Sequence, residues 1–369
     1  MNDNPDLVGD DRARYCAVRH PAGARYIEVL DQRALPHAVE TQRIATVDAA
    51  ATAIRDMVVR GAPLIGAVGA YGFALGLDTE AGDDALARIH ALLDATRPTA
   101  MNLRWALDRV RARVVSLAPA IRADAAWAEA DAIVAEDVSI NAALGRHGLA
   151  LLQSIERNRD GPLNVMTHCN AGALATCGFG TATAPIFLAH EQGMAVHVWV
   201  SETRPRLQGA NLTAWEMAQR DIPHTLIVDS ASGLLMRRGE VDVVIVGADR
   251  VATNGDVCNK IGTYDKALAA ADNGVPFYVA LPSPTIDWSA RSGEAIAIET
   301  RSGREVLDVR GRDASGESRT VAIAGDATPA LNLAFDVTPQ RLVTGYLTER
   351  GVARDAEALH ALFPERPSR

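Results

Sequence analysis

Val241-Asp242-Val243-Val244-Ile245-Val246 is a nearly continuous β-branched run that ends abruptly in Gly247-Ala248-Asp249-Arg250. Such a run predicts a strand buried on both faces, as in a parallel sheet covered by helices. Open α/β sheets collect their ligands beyond the carboxyl ends of such strands. The segment therefore points to a fold class and sets one carboxylate, Asp249, where a site is expected.

The surrounding texture agrees. From Leu163 onward, candidate strands (163–166, 195–200, 225–228, 241–246, 276–281 and a short one at 320–323) alternate with helical segments at 212–219 and 264–271. This is the pattern of a Rossmann-like parallel sheet. The preceding part is mostly helical, with periodic stretches at 47–59 and 123–158. Between them, Arg60 to Tyr71 carries small residues three and four apart, the mark of a helix packed closely on a neighbour. Pro63 suits its first turn, where free N–H groups can receive an anion. The expected class is α/β: a smaller, mostly helical N-terminal domain (1–150) and a Rossmann-like catalytic domain (151–369), with Asn158-Arg159-Asp160-Gly161-Pro162 as the breaker. Residues 301–320 predict a surface insertion or hairpin, and the terminal Pro-Glu-Arg-Pro-Ser-Arg a frayed tail.

With 369 residues and a net charge of -9, the chain suits a substantial core and argues against non-specific nucleic-acid binding. No apolar stretch reaches the roughly 18 residues of a membrane span, and the acidic start is unlike a signal peptide. A cytoplasmic location is expected. Cys16, Cys169, Cys177 and Cys258 fit neither a zinc spacing nor a disulfide framework. The phosphate-loop and dinucleotide glycine patterns are absent, so no nucleotide, metal or organic cofactor is implied.

Chemistry gathers just past the strands. The first ends in Thr167-His168-Cys169-Asn170-Ala171-Gly172, the second in Ser201-Glu202-Thr203-Arg204-Pro205-Arg206-Leu207-Gln208-Gly209. Cys169 is either a buried structural thiol or a functional one whose pKa a helix N-terminus lowers. His168, next along an extended strand, points the other way and reads as structural. Asp249, behind an apolar strand, is expected to have the raised pKa of a general acid; a salt bridge with Arg250 or a helix cap is the alternative. Asn259 and Lys260 on a turn-rich loop suit a hydroxyl and a phosphate. Arg97, beside Pro98, suits a phosphate fork; a solvated surface turn is the alternative for both loops.

Taken together, Arg60-Gly61-Ala62-Pro63, Arg97-Pro98-Thr99-Ala100, Thr167 to Thr176, Glu202 to Gly209, Gly247-Ala248-Asp249-Arg250 and Asn254 to Thr263 resemble the methylthioribose-1-phosphate isomerase family over residues 25–350. The wider family includes regulatory subunits of the translation initiation factor exchange complex and ribose-1,5-bisphosphate isomerases. The resemblance implies conversion of 5-methylthioribose 1-phosphate to 5-methylthioribulose 1-phosphate in methionine salvage. By resemblance, Asp249 is the proton donor and Cys169 the second catalytic residue, while Arg60, Gly61, Ala62, Arg97, Gln208, Asn259 and Lys260 bind the phosphosugar. A homodimer is implied. Cys177, Ser201 and Asn211 depart from the family pattern without removing a catalytic position. An enediolate route and a direct hydride shift both remain open. So do three rival functions: isomerisation of 5-deoxyribose 1-phosphate, isomerisation of ribose 1,5-bisphosphate, and a non-catalytic regulatory protein on the same fold.

Overall fold

The computed structural model describes residues 15–156 and 160–366. The described chain opens on a three-stranded antiparallel sheet, β1 (Val18–Arg19), β2 (Ile27–Leu30) and β3 (Thr41–Ile44). Helices α1 (Val47–Arg55), α2 (Ala62–Thr79), α3 (Asp83–Asp94), α4 (Met101–Val114) and α5 (Pro119–Ser154) follow. Thr46 caps α1 by accepting from the Ala49 N–H at 3.1 Å, which satisfies one donor of the free first turn. α2 is the buried centre of this half and packs on α4, α5 and α1. Its glycines make that possible. A Cβ at Gly66 would lie 2.8 Å from the Asn102 carbonyl oxygen, and one at Gly69 would lie 2.4 Å from Leu103 Cδ1.

Next come β4 (Leu163–His168), α6 (Ala184–Glu191), β5 (Val196–Ser201), α7 (Ala214–Gln219), β6 (His224–Ile227), α8 (Ser232–Arg237) and β7 (Val243–Val246). Short strands β8 (Arg250–Ala252) and β9 (Val257–Lys260) precede α9 (Thr263–Asp272), β10 (Phe277–Ala280) and β11 (Ile286–Asp287). The chain then forms α10 (Arg304–Leu307), β12 (Asp308–Arg312), β13 (Ser318–Ala322), β14 (Phe335–Thr338), β15 (Gly345–Thr348), β16 (Gly351–Ala353) and α11 (Ala356–Leu362). Seven strands make the main sheet in the order β16-β15-β10-β7-β4-β5-β6, all parallel except β16.

The β-branched run behaves as its period requires. Val243 and Ile245 join one apolar cluster with Val165, Val198, Ile186 and Phe187. Val244 and Val246 join another with Met166, Phe277, Val279 and Tyr346. Alternate residues thus fill both faces of the sheet. The strand order reverses between β4 and β7, the place where open α/β sheets form a crevice.

One expectation needs correction. Residues 320–323 do not add a strand to the main sheet: β13 pairs antiparallel with β12, and all five of its residues are exposed. The sheet's last parallel strand is β15, which pairs with β10. Pro367, Ser368 and Arg369 of the expected frayed tail lie outside the described residues; ahead of them Glu365 takes two hydrogen bonds from Arg350 at 3.0 and 2.6 Å. α5 runs unbroken past residue 150 to Ser154, and Asn158 and Arg159 of the expected breaker lie outside the described residues. Among the described residues, no helix is long and apolar enough to cross a membrane.

Candidate active site

The carboxyl ends of β4, β5 and β7 face the first turn of α2, and a cavity lies between them. Arg60, Gly61, Ala62, Arg97, Cys169, Gln208, Asp249, Asn259 and Lys260 all line it. Every site residue named from the sequence therefore meets at one place.

The Arg60-Gly61-Ala62 turn is held tightly. Gly61 has φ of 101°, and a Cβ there would lie 2.5 Å from the Ala175 Cα and carbonyl oxygen. Only glycine combines that torsion with that approach. Arg60 donates from Nη1 to Asn170 Oδ1 at 2.5 Å and from Nη2 to the Asn170 carbonyl at 2.7 Å. The Asn170 amide is in turn fixed by Glu216, which accepts its Nδ2 at 2.5 Å and the Leu174 N–H at 3.1 Å. Glu216 is fully buried. Burial raises its pKa, and the hydrogen bonds from Asn170 and Leu174 offset this only in part; its two acceptor oxygens fix the amide, and the amide aims the guanidinium.

Cys169 stands at the end of β4 with φ of 61°, opposite Thr203 with φ of 66°. Non-glycine residues held in this region cost about 1–3 kcal/mol each and concentrate at functional sites. The Cys169 N–H donates to Thr203 Oγ1 at 2.8 Å, and Thr213 Oγ1 donates to the Cys169 carbonyl at 2.6 Å. His168 is clamped behind the wall: Nε2 donates to the Ile261 carbonyl at 2.8 Å, and Nδ1 lies 3.2 Å from Ser201 Oγ. Burial, reinforced by Lys266, holds His168 well below its usual range. The ring is therefore neutral, and its 3.9 Å approach to Asp229 is not an ion pair.

Asp249 is the cavity's central acid. Its backbone N–H donates to the Cys258 carbonyl at 3.0 Å, while its carboxylate takes no hydrogen bond among the described residues. Arg250 does not neutralise it. That guanidinium turns to Asp287 at 3.4 Å and to the Thr99 carbonyl, which anchors the Arg97 turn. Asp249 and Cys169 each keep a little surface open to the cavity but lie deep in the protein. Burial raises both pKa values, and the nearby cations Lys260 and Arg60 offset this only in part. For Asp249 the direction is the expected one. For Cys169 it is the reverse of the lowering expected from a helix N-terminus, because β4 leads only into a three-residue 3-10 turn at Ala173–Ala175 and burial outweighs it.

Lys260 donates to the Ala334 carbonyl at 2.9 Å and sits 4.2 Å from the Phe335 ring centroid. Asn259 donates to Thr263 Oγ1 at 3.0 Å. Gln208 is pressed inward because Gly209 follows it, where a Cβ would lie 1.7 Å from the Ser201 carbonyl oxygen. Gln208 Oε1 and Arg97 Nε are buried without partners. An unmet acceptor and an unmet donor in one cavity wall call for a ligand with both a hydroxyl and an anionic group. Arg206, Arg301, Met57 and Phe335 also line the cavity. Arg206 stands in a strand-end cluster visible in the sequence. Arg301 stands in a polar stretch with no periodic signal.

A sequence model of the Initiation factor 2 subunit family matches residues 58–355. A methylthioribose-1-phosphate isomerase of Rhizobium meliloti (strain 1021) is 55% identical over 346 residues, covering 93% of this chain and 95% of that protein. The crystal structure of 5-methylthioribose 1-phosphate isomerase from Pyrococcus horikoshii OT3 superposes with a TM-score of 0.81 at 37% identity, covering 95% of this chain and 96% of that one. Translation initiation factor eIF-2B, subunit delta, from A. fulgidus superposes with a TM-score of 0.76 at 35% identity, covering 94% and 98%.

Proposed function

The chain belongs to the Initiation factor 2 subunit family, and from that premise we propose that it is an aldose–ketose isomerase converting 5-methylthioribose 1-phosphate to 5-methylthioribulose 1-phosphate, a step of methionine salvage. The carrying observation is the part-buried Asp249, its carboxylate without a hydrogen bond among the described residues, sharing with Cys169 a cavity lined by Arg60, Arg97, Arg206, Lys260 and Arg301. A binding protein for an anion gains nothing from a carboxyl group there whose pKa burial raises. A proton donor does.

Phosphate on C1 locks the sugar ring, so opening needs help at the ring oxygen. Asp249, whose pKa burial raises, gives its proton to that oxygen as the bond from C1 to it breaks. Hydrogen then passes from C2 to C1. A thiol held protonated by burial is a poor base, which favours hydride transfer with Cys169 flanking the reacting carbons. As C2 becomes a carbonyl, its hydroxyl proton returns to the Asp249 carboxylate. The acid is thereby regenerated and the atoms balance. Arg97 and Lys260 hold the phosphate with the free N–H groups at the start of α2, Arg60 and Asn259 orient the sugar, and Gln208 Oε1 accepts a sugar hydroxyl. Met57 and Phe335 give the methylthio group an apolar wall.

The strand order supports a Rossmann-like catalytic half, residues 151–369, to which residues 1–150 contribute Arg60, Gly61, Ala62 and Arg97. The protein works in the cytoplasm as a homodimer. Exposed Leu226 on edge strand β6 and exposed Val228 just beyond it form an apolar edge that a second copy covers.

The test is turnover by the purified protein of methylthioribose 1-phosphate, 5-deoxyribose 1-phosphate and ribose 1,5-bisphosphate, followed by NMR of the ketose. The first is expected to give the highest kcat/KM. No ketose from it overturns the proposal.

A further inference from the structure

Arg301 lies outside every motif read from the sequence, yet its side chain, 15% exposed, reaches the cavity wall. Two carboxylates determine how it points. Glu305 takes Nε at 2.9 Å and Nη2 at 2.7 Å, a bidentate grip. Glu299 Oε1 lies farther off, 3.3 Å from Nη1, and its Oε2 lies 3.3 Å from Arg97 Nη2. Charge-assisted hydrogen bonds of this kind normally close to about 2.7–2.9 Å, so the Glu299 contacts are loose and the Glu305 contacts are tight. Glu305 also accepts from Arg206 Nη1 at 2.8 Å and from Asn332 Nδ2 at 2.9 Å. Burial alone would raise its pKa, but the bonds from Arg301 and Arg206 hold it down to about 2. It therefore stays charged at any working pH and clamps two cavity arginines at once.

The grip leaves only Nη1 of Arg301 outside the Glu305 pair, and Nη1 meets Glu299 Oε1 at 3.3 Å. Arg97, Lys260 and Arg301 all line this cavity, and Glu299 bridges the two arginines at 3.3 Å from each. Among the described residues, the Lys260 side chain hydrogen-bonds only to the neutral Ala334 carbonyl. Glu299 offsets this charge only through loose contacts, and a phosphate dianion carries enough charge and oxygen atoms to meet all three cations.

We propose that Arg301 is a third phosphate-binding cation of this site and that Glu305 is the positioning residue that fixes its guanidinium. The proposal rests on the phosphosugar reading above and adds a residue to it. The fork is set before substrate arrives, so its bonds to phosphate cost little side-chain ordering. Neutralising Glu305 leaves Arg301 charged but frees it to rotate, which is a different lesion from removing the arginine.

The probe is inorganic phosphate, measured by calorimetry on the full chain, alongside kcat and KM for methylthioribose 1-phosphate. Arg301→Gln is expected to weaken phosphate binding about tenfold or more and to raise KM by a similar factor, with kcat changed less than about threefold. Glu305→Gln is expected to shift both in the same direction by a smaller factor. Arg304→Gln, at a side chain 75% exposed, removes a neighbouring charge and is expected to leave both unchanged. If Arg301→Gln fails to fold by circular dichroism, Arg301→Lys replaces it. That variant keeps the charge without the bidentate fork and is also expected to weaken phosphate binding. Phosphate affinity in the folded Arg301 variant equal to wild type overturns the proposal, as does wild-type protein that binds no phosphate. Because phosphate binding is read without turnover, an inactive wild type whose phosphate affinity depends on Arg301 refutes the isomerase reading alone. An active wild type indifferent to Arg301 refutes this one alone.

Discussion

Replacing Asp249 with Asn separates the chemistry of this carboxyl group from its structural role. The side chains have nearly the same shape, and the carboxylate accepts no hydrogen bond among the described residues, so the substitution orphans no donor. A general acid contributes about 10²–10⁴ to rate, or about 2.7–5.4 kcal/mol of barrier. The kcat should fall by that factor while phosphate affinity stays close to wild type. Stability should move the other way. Burial raises the Asp249 pKa, so the folded state resists charging this group. That resistance costs nothing below the unfolded carboxyl pKa of about 3.9 and grows as pH rises toward the folded value. Asn removes the cost. The variant should therefore melt at or above the wild-type temperature at neutral pH, and this advantage should vanish in acid. Differential scanning calorimetry across pH, beside steady-state kinetics, reads both effects. A variant with near-wild-type kcat, or one destabilised at neutral pH, would refute the argument.

Three further outcomes follow from the same geometry. Cys169→Ala should lose roughly 10² in kcat, and a wild-type rate in that variant would remove the thiol from the reaction. Glu216→Gln leaves one of two buried donors, Asn170 Nδ2 or the Leu174 N–H, without its acceptor, at about 1–3 kcal/mol. Arg60 then loses its aim, so KM should rise about tenfold with kcat much less affected; unchanged KM would mean that the Glu216–Asn170–Arg60 chain does not position substrate. The pH profile of kcat/KM should fall on the alkaline side, where Asp249 loses its proton and Lys260, whose pKa burial lowers, loses its charge. A profile that instead rises with deprotonation of a single carboxyl group would make Asp249 a base.

The parts of this molecule that the sequence announces are those with a period or a torsional demand. Val243 to Val246 alternate across a sheet buried on both faces, so the run was legible as a central strand. Gly61 and Gly209 mark backbone approaches that no Cβ permits, and both flank site residues. What stayed hidden depends on tertiary surroundings. β15, only Gly345–Thr348, is too short for its pattern to stand out, and residues 320–323 have strand composition but pair in an exposed hairpin. The sign of the Cys169 shift could not be read, since a strand end says nothing of how deeply it will be buried. Arg301 belongs to the cavity only because Glu305 and Glu299 turn it inward, and no local spacing encodes that.

The path of one hydrogen atom separates the two routes. Methylthioribose 1-phosphate carrying deuterium at C2, turned over by the wild-type protein in ordinary water, should give ketose with that deuterium retained at C1. Product with C1 hydrogen drawn from solvent would contradict the neutral-thiol hydride route, and no product at all would contradict the isomerase assignment itself.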